Sequence, residues 1–186
     1  MSQDSTAHSP EITTLESREI YANRWMRLRE DSIRRADGQE GIYSVVEKPD
    51  FAVIAAVQDG LIYLVEQYRY PVAGRHWELP QGTWDKDESD PLGLARAELQ
   101  EETGLRAGQM QWVGHLYLAY GFCTQAYDLF LATDLSQGPQ ALEPEEQGLI
   151  CRPFAIETVL EQVRTGQLQD ATTVAALGLL RLKGLI

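Results

Sequence analysis

The residues of this chain with the most chemistry in them are acidic and closely spaced: Glu88, then Glu98, Glu101 and Glu102, framed by Gly82 and Gly104. On a helix, residues three and four apart share a face, so Glu98, Glu101 and Glu102 converge while Ala95 and Leu99 turn to the core. Like charges at that spacing destabilise an isolated helix by about 0.2–0.5 kcal/mol per pair. They also lie toward the helix C-terminus, where the macrodipole disfavours anions. A hard divalent cation that takes oxygen ligands, Mg2+ or Mn2+, offsets both effects better than a single lysine. A bare Glu-x-x-Glu-Glu is most often a solvated helix face. Here a glycine turn, a separate glutamate and a terminating Thr103-Gly104-Leu105 accompany it, and that combination points to metal chemistry.

Elements must hold these groups in place, and the flanking sequence says which. The acidic run reads as a helix from Leu92 to Thr103, with Pro91 tolerated in the first turn and Gly104 in the left-handed position that ends it. Upstream, Ile20 to Tyr70 reads as strands broken at Asp37-Gly38 and Asp59-Gly60, the clearest hairpin being 51–57 with 61–65. These runs are almost continuously apolar, so helices should cover the sheet on both faces in an α/β sandwich. Pro71 to Pro91 reads as a loop, Trp112 to Tyr120 and Ala126 to Thr133 as strands, and Ser136 to Gly148 as an exposed acidic loop. Helices near Ile156 to Thr165 and Ala171 to Leu182 close the chain.

The whole composition narrows the function classes. A chain of 186 residues is enough for one compact domain with a small appendage. No apolar run is long enough to cross a bilayer as a helix. A net charge of −12 argues against a partner held mainly by polyanion electrostatics, so nucleic acid is not expected, nor, without a long apolar run, a membrane, and a phosphate ligand would need local cations or a metal. The polar N-terminus lacks the pattern of a secretory signal, so a cytoplasmic protein is expected. Cys123 and Cys151, without Cys-x-x-Cys spacing, read as buried free thiols.

The run from Glu78-Leu-Pro-Gln-Gly82 through Glu98-Leu-Gln-Glu-Glu-Thr-Gly-Leu105 resembles the signature of the Nudix hydrolases: Gly, five residues, Glu, seven residues, then Arg-Glu-apolar-x-Glu-Glu-x-Gly-apolar. It departs in two places. One extra residue lies between Glu88 and Ala97, and the family arginine falls on Ala97, with Arg96 one place earlier. The resemblance implies a Nudix-type α/β/α sandwich with a mixed sheet, preceded by a small antiparallel strand segment. It also implies metal-assisted hydrolysis of a nucleoside diphosphate linked to a further group. On this carry-over Glu98 and Glu102 are the principal metal ligands, Glu101 a further ligand or water activator, and a carbonyl of Gln81 or Gly82 another ligand, with Glu88 in the same set.

Beyond the signature, Gln67-Tyr-Arg-Tyr-Pro71, Tyr120-Gly-Phe122 and Phe130-Leu-Ala-Thr-Asp-Leu135 are similar to the branch that hydrolyses ADP-ribose and nucleotide sugars. With a polar, disordered tail expected over residues 1–12, that likeness implies a dimerising β segment over 13–48, a hydrolase domain over 49–186, and a homodimer. Arg69 is then either a diphosphate contact or a strand-end arginine paired with a nearby acid; Arg75 is a weaker substrate contact. Trp25 either stacks on the base or packs at the dimer contact. Tyr120 stands where the branch often carries proline, and is reminiscent of dinucleoside polyphosphate hydrolases, the first alternative function. A catalytically silent module that senses ADP-ribose-like ligands is the second. Glu143, Glu145 and Glu146 lie in a loop able to supply a general base, or simply form a solvated acidic loop.

Overall fold

The computed structural model describes residues 10–83, 90–142 and 146–186. Glu88, Glu143 and Glu145 therefore lie outside the described residues. The chain divides into two compact units, one comprising the chain up to Pro49 with Ala119–Gln125, the other Asp50–Leu118 with Ala126–Ile186.

The first unit is a three-stranded antiparallel sheet of β1 (Ile12–Ala22), β2 (Arg27–Arg35) and β3 (Glu40–Glu47). It begins at Ile12, earlier than the apolar pattern reveals, because every residue of β1 is exposed and no buried stripe marks it. Asn23 shapes the β1–β2 turn by accepting from the backbone N–H groups of Trp25 and Met26, each at 2.9 Å. Val46 ties this sheet to the 119–125 segment, donating to Phe122 O at 2.8 Å and accepting from Thr124 N at 2.9 Å.

The second unit holds the mixed sheet, in the order β10-β5-β4-β9-β8. Its strands are β4 (Phe51–Gln58), β5 (Leu61–Arg69), β8 (Leu105–Tyr117), β9 (Ala126–Gln137) and β10 (Ile150–Ala155). β4 and β9 are parallel, and the other pairs are antiparallel. Two short strands, β6 (Gly74–Glu78) on β5 and β7 (Gln81–Gly82) on β4, occupy part of the stretch expected to be loop. β8 starts directly after Gly104, where glutamines and a glycine hide the strand pattern, and β10 carries Pro153, which an edge strand tolerates.

The alternation of β4 divides the core as its apolar run predicts. Ala52, Ile54 and Ala56 pack with Leu94, Ala95 and Leu99 of α1 (Pro91–Thr103). Val53 and Ala55 pack on the opposite face with Val159 of α2 (Ile156–Arg164) and Ala176, Leu177 and Leu180 of α3 (Ala171–Leu182). The result is an α/β/α sandwich. Among the described residues no helix is long and apolar enough to cross a membrane. Both cysteines are free; Cys123 is buried, but Cys151 is only half-buried, because β10 lies at the sheet edge.

Candidate active site

Helix α1 carries the acidic face, and its two ends are built differently. Asp90 caps the N-terminus by accepting from Gly93 N at 3.0 Å, and Gly104 closes the C-terminus with φ 72° and its N–H on Gln100 O at 2.9 Å. The carbonyls that a helix leaves unpaired at its C-terminus are met by the loop after β9. Gly138 N donates to Gly104 O at 2.6 Å, Ala141 N to Glu101 O at 3.1 Å, and Gln140 Nε2 to Glu102 O at 2.6 Å. Docked in this way, the acidic loop comes back to the helix that bears the glutamates.

The consequence is a cluster assembled from two parts of the chain. One carboxylate oxygen from each of Glu98, Glu102 and Glu146 lies within 4.8 Å of the others. Glu98 and Glu102 are buried, at 6% and 0% exposure. Glu101 is half-buried and is not one of the three, since it lies about 100° around the helix from Glu102. Of the three glutamates expected to converge, Glu98 and Glu102 belong to this cluster, and Glu146 is its third member.

The segment from Glu78 to Gly82 forms the wall facing α1, pinned at successive backbone positions. Leu79 N donates to Thr173 Oγ1 at 2.9 Å, Pro80 O accepts from Ile54 N at 2.9 Å, and Gln81 N donates to Glu102 Oε2 at 2.9 Å. Gly82 does not have positive φ; a Cβ there would collide with all three atoms of the Glu98 carboxyl group, so a larger residue would displace that carboxylate.

Burial first, and then the charges of Glu98 and Glu146, hold the Glu102 carboxyl well above its ordinary pKa, despite the Gln81 N–H. Its Oε1 is buried with no hydrogen-bond partner among the described residues. A buried, unpartnered carboxylate oxygen beside two more carboxylates is an oxygen-ligand set deficient in positive charge, and it fits a hard divalent cation. On β10, the Cys151 thiol is pushed up to about 11 by burial and by Glu102, so it is an inert neighbour.

A further buried carboxylate lies outside the cluster. Glu78, 2% exposed, accepts from Gln67 Nε2 at 2.8 Å, from Arg69 Nη2 at 2.5 Å and Nε at 3.2 Å, and from Gln81 Nε2 at 3.1 Å. Burial holds its carboxyl above the ordinary value, partly countered by Arg69. The signal lies in the β5–β6 register: Val65 pairs with Glu78, so Gln67 and Arg69, two and four residues on, share its face.

The remaining predicted site residues are placed as follows. Arg69 is paired with the acid Glu78. Arg75 donates to Glu66 Oε2 at 2.8 Å and to the carbonyls of Glu66 and Gly148 at 3.0 and 2.7 Å. Arg96, the neighbour of Ala97, donates to Ala107 O at 3.0 Å on β8. Trp25 and Tyr120 belong to the first unit, exposed by 54% and 82%, with the Arg24 guanidinium 4.1 Å from the Trp25 ring centroid.

Comparison with known proteins decides the family. Residues 12–46 match the nucleoside diphosphate sugar hydrolase N-terminal domain, and residues 46–175 match the NUDIX domain. This chain belongs to the Nudix family. A methanol dehydrogenase activator of Bacillus methanolicus is 30% identical to this Nudix protein over 175 residues, which is 93% of this chain and 94% of that one. An ADP-ribose pyrophosphatase of Bacillus subtilis is 29% identical over 177 residues, 94% and 95% of the two chains. A crystal structure of an ADP compounds hydrolase superposes with a TM-score of 0.83 at 20% identity, over 95% of this chain and 96% of that one, and shares its fold.

Proposed function

We propose that this Nudix hydrolase cleaves the diphosphate bond of ADP-ribose or a related nucleoside diphosphate sugar, releasing a nucleoside monophosphate and a sugar phosphate. The observation that carries the reading is the cluster of buried Glu98 and Glu102 with half-buried Glu146, facing the pinned Gln81-Gly82 wall. The match of residues 12–46 to the N-terminal domain of nucleoside diphosphate sugar hydrolases supports the substrate class.

Glu98 and Glu102 would hold Mg2+, or Mn2+, with Glu101, Glu146, Glu88 and a carbonyl of Gln81 or Gly82 as further ligands. Bound there, the cation would neutralise phosphate charge and acidify water. The reaction adds one water across the P–O–P bridge: a P–O bond forms at the attacked phosphorus, the bridging P–O bond breaks, and the departing phosphate carries away the charge. A carboxylate of the 143–146 loop, Glu145 or Glu146, takes the proton of the attacking water. Arg69 contacts the diphosphate. Arg75, whose Nη2 already meets two backbone carbonyls, is the weaker contact. Trp25 and Tyr120 are offered as contacts to the base. The functional protein is a cytoplasmic homodimer.

The test is a panel of ADP-ribose, GDP-mannose, other nucleotide sugars, diadenosine polyphosphates and nucleoside triphosphates, incubated with Mg2+ and resolved by chromatography. Glu102→Gln should lower the rate on the accepted substrate by about 100-fold or more, as expected for a group acting on the transition state. Near-normal turnover by that variant would remove the metal assignment. Saturable ligand binding with no turnover of any compound would make the protein a sensor.

A further inference from the structure

Glu78 belongs to none of the groups assigned above to metal or water, yet it sits between the substrate arginine and the carboxylate cluster. Its two oxygens grip Arg69 as a fork, Oε1 taking Nη2 and Oε2 taking Nε. A guanidinium has five N–H donors, and among the described residues this grip leaves the Nη1 edge uncommitted, on a side chain still 41% exposed. Arg75, in the same hairpin, is equally exposed and also bonds through Nε and Nη2, but its Nη2 meets two carbonyls and straps β5 to the turn at Gly148.

The grip extends toward the cluster. Gln81 donates its side-chain amide to Glu78 Oε2 at 3.1 Å and its backbone N–H to Glu102 Oε2 at 2.9 Å. An unbroken chain of hydrogen bonds therefore runs Arg69, Glu78, Gln81, Glu102. An unheld arginine loses rotamer freedom when it binds phosphate, whereas one already oriented by a buried partner loses less.

We propose that Glu78 is the positioning residue for the substrate's diphosphate: it holds the Arg69 guanidinium with one edge outward and, through Gln81, at a set position relative to Glu102. The role rests on the reading of Arg69 as a diphosphate contact. A purely structural Arg–Glu pair would alter stability and leave substrate affinity alone.

The experiment compares wild type, Glu78→Gln, Arg69→Ala and the double variant. On the substrate that wild type accepts, each single change should raise KM about tenfold while kcat moves less than about threefold, the pattern of lost binding. The double variant should be no worse than Arg69→Ala, because Glu78 acts through Arg69. An unchanged KM in either single variant, or effects that multiply in the double, would overturn the proposal. If Glu78→Gln does not fold, Glu78→Asp keeps the charge, withdraws it by one methylene and serves in the same comparison.

The same proteins are titrated with ADP by calorimetry in metal-free buffer, which reads diphosphate affinity without turnover. If wild type hydrolyses nothing on the panel, the functional reading falls. Weakened ADP binding in both single variants, no weaker in the double, would still support the positioning role, and unchanged binding would end it.

Discussion

Glu102 shows how one buried carboxylate couples stability to pH. Its folded-state pKa is raised by burial and by Glu98 and Glu146, so in the metal-free protein it keeps a proton that the unfolded chain has already lost. Its contribution to stability is therefore fully present below the ordinary carboxylate value and is lost as pH rises through the raised one. Glu78, raised mainly by burial, acts in the same direction. Thermal melts in chelator should show stability falling as pH rises above the ordinary carboxylate range, with a shallower fall in Glu102→Gln. Mg2+ should restore wild type more than the variant at the upper end. Parallel slopes in the two proteins would show that Glu102 is not the titrating group. At this scale the sequence revealed Glu98 and Glu102, because i and i+4 need only a helix. It could not reveal Glu78, whose partners are nine and eleven residues away across a hairpin whose register local spacing does not set.

The element that decides the site is the C-terminus of α1 with the loop docked on it. Gly104 takes φ 72°, and a Cβ there would lie 2.8 Å from Gly138 O. Gly104→Ala should cost about 1–2 kcal/mol from the left-handed backbone. It should also displace the 138–141 segment, and with it Glu146. Measured together, kcat should fall further than the loss of folded protein explains; a lowered Tm with unchanged kcat would uncouple the loop from catalysis. The helix was legible in outline, from its proline, its apolar spacing and its terminal glycine. β6, β7 and β10 were not, because strands of two to six residues carry too few alternations to be read, and their existence depends on neighbours that present free backbone groups.

At the scale of the molecule, the first unit leaves Ile12, Leu15, Ile20 and Ile42 exposed by 44–65%. Apolar strand residues so uncovered are the surface that a second copy would bury. Sedimentation should give twice the chain mass of 20.9 kDa, and Ile20→Glu with Ile42→Glu should shift it to the monomer. A monomeric wild type would refute the homodimer. The α/β/α sandwich itself was written in the chain, since β4 is apolar at successive positions and a strand buried on both faces requires a layer on each. Local spacing also sufficed to place two carboxylates on one face of α1 and to stop that helix at Gly104, because both follow from the geometry of a single turn. Only tertiary packing brought Glu146 back to that face, pressed the Glu98 carboxyl onto Gly82 and turned Glu78 under Arg69. Those contacts join segments far apart along the chain, and they exist only once loop docking and strand register have been settled by the burial of the whole.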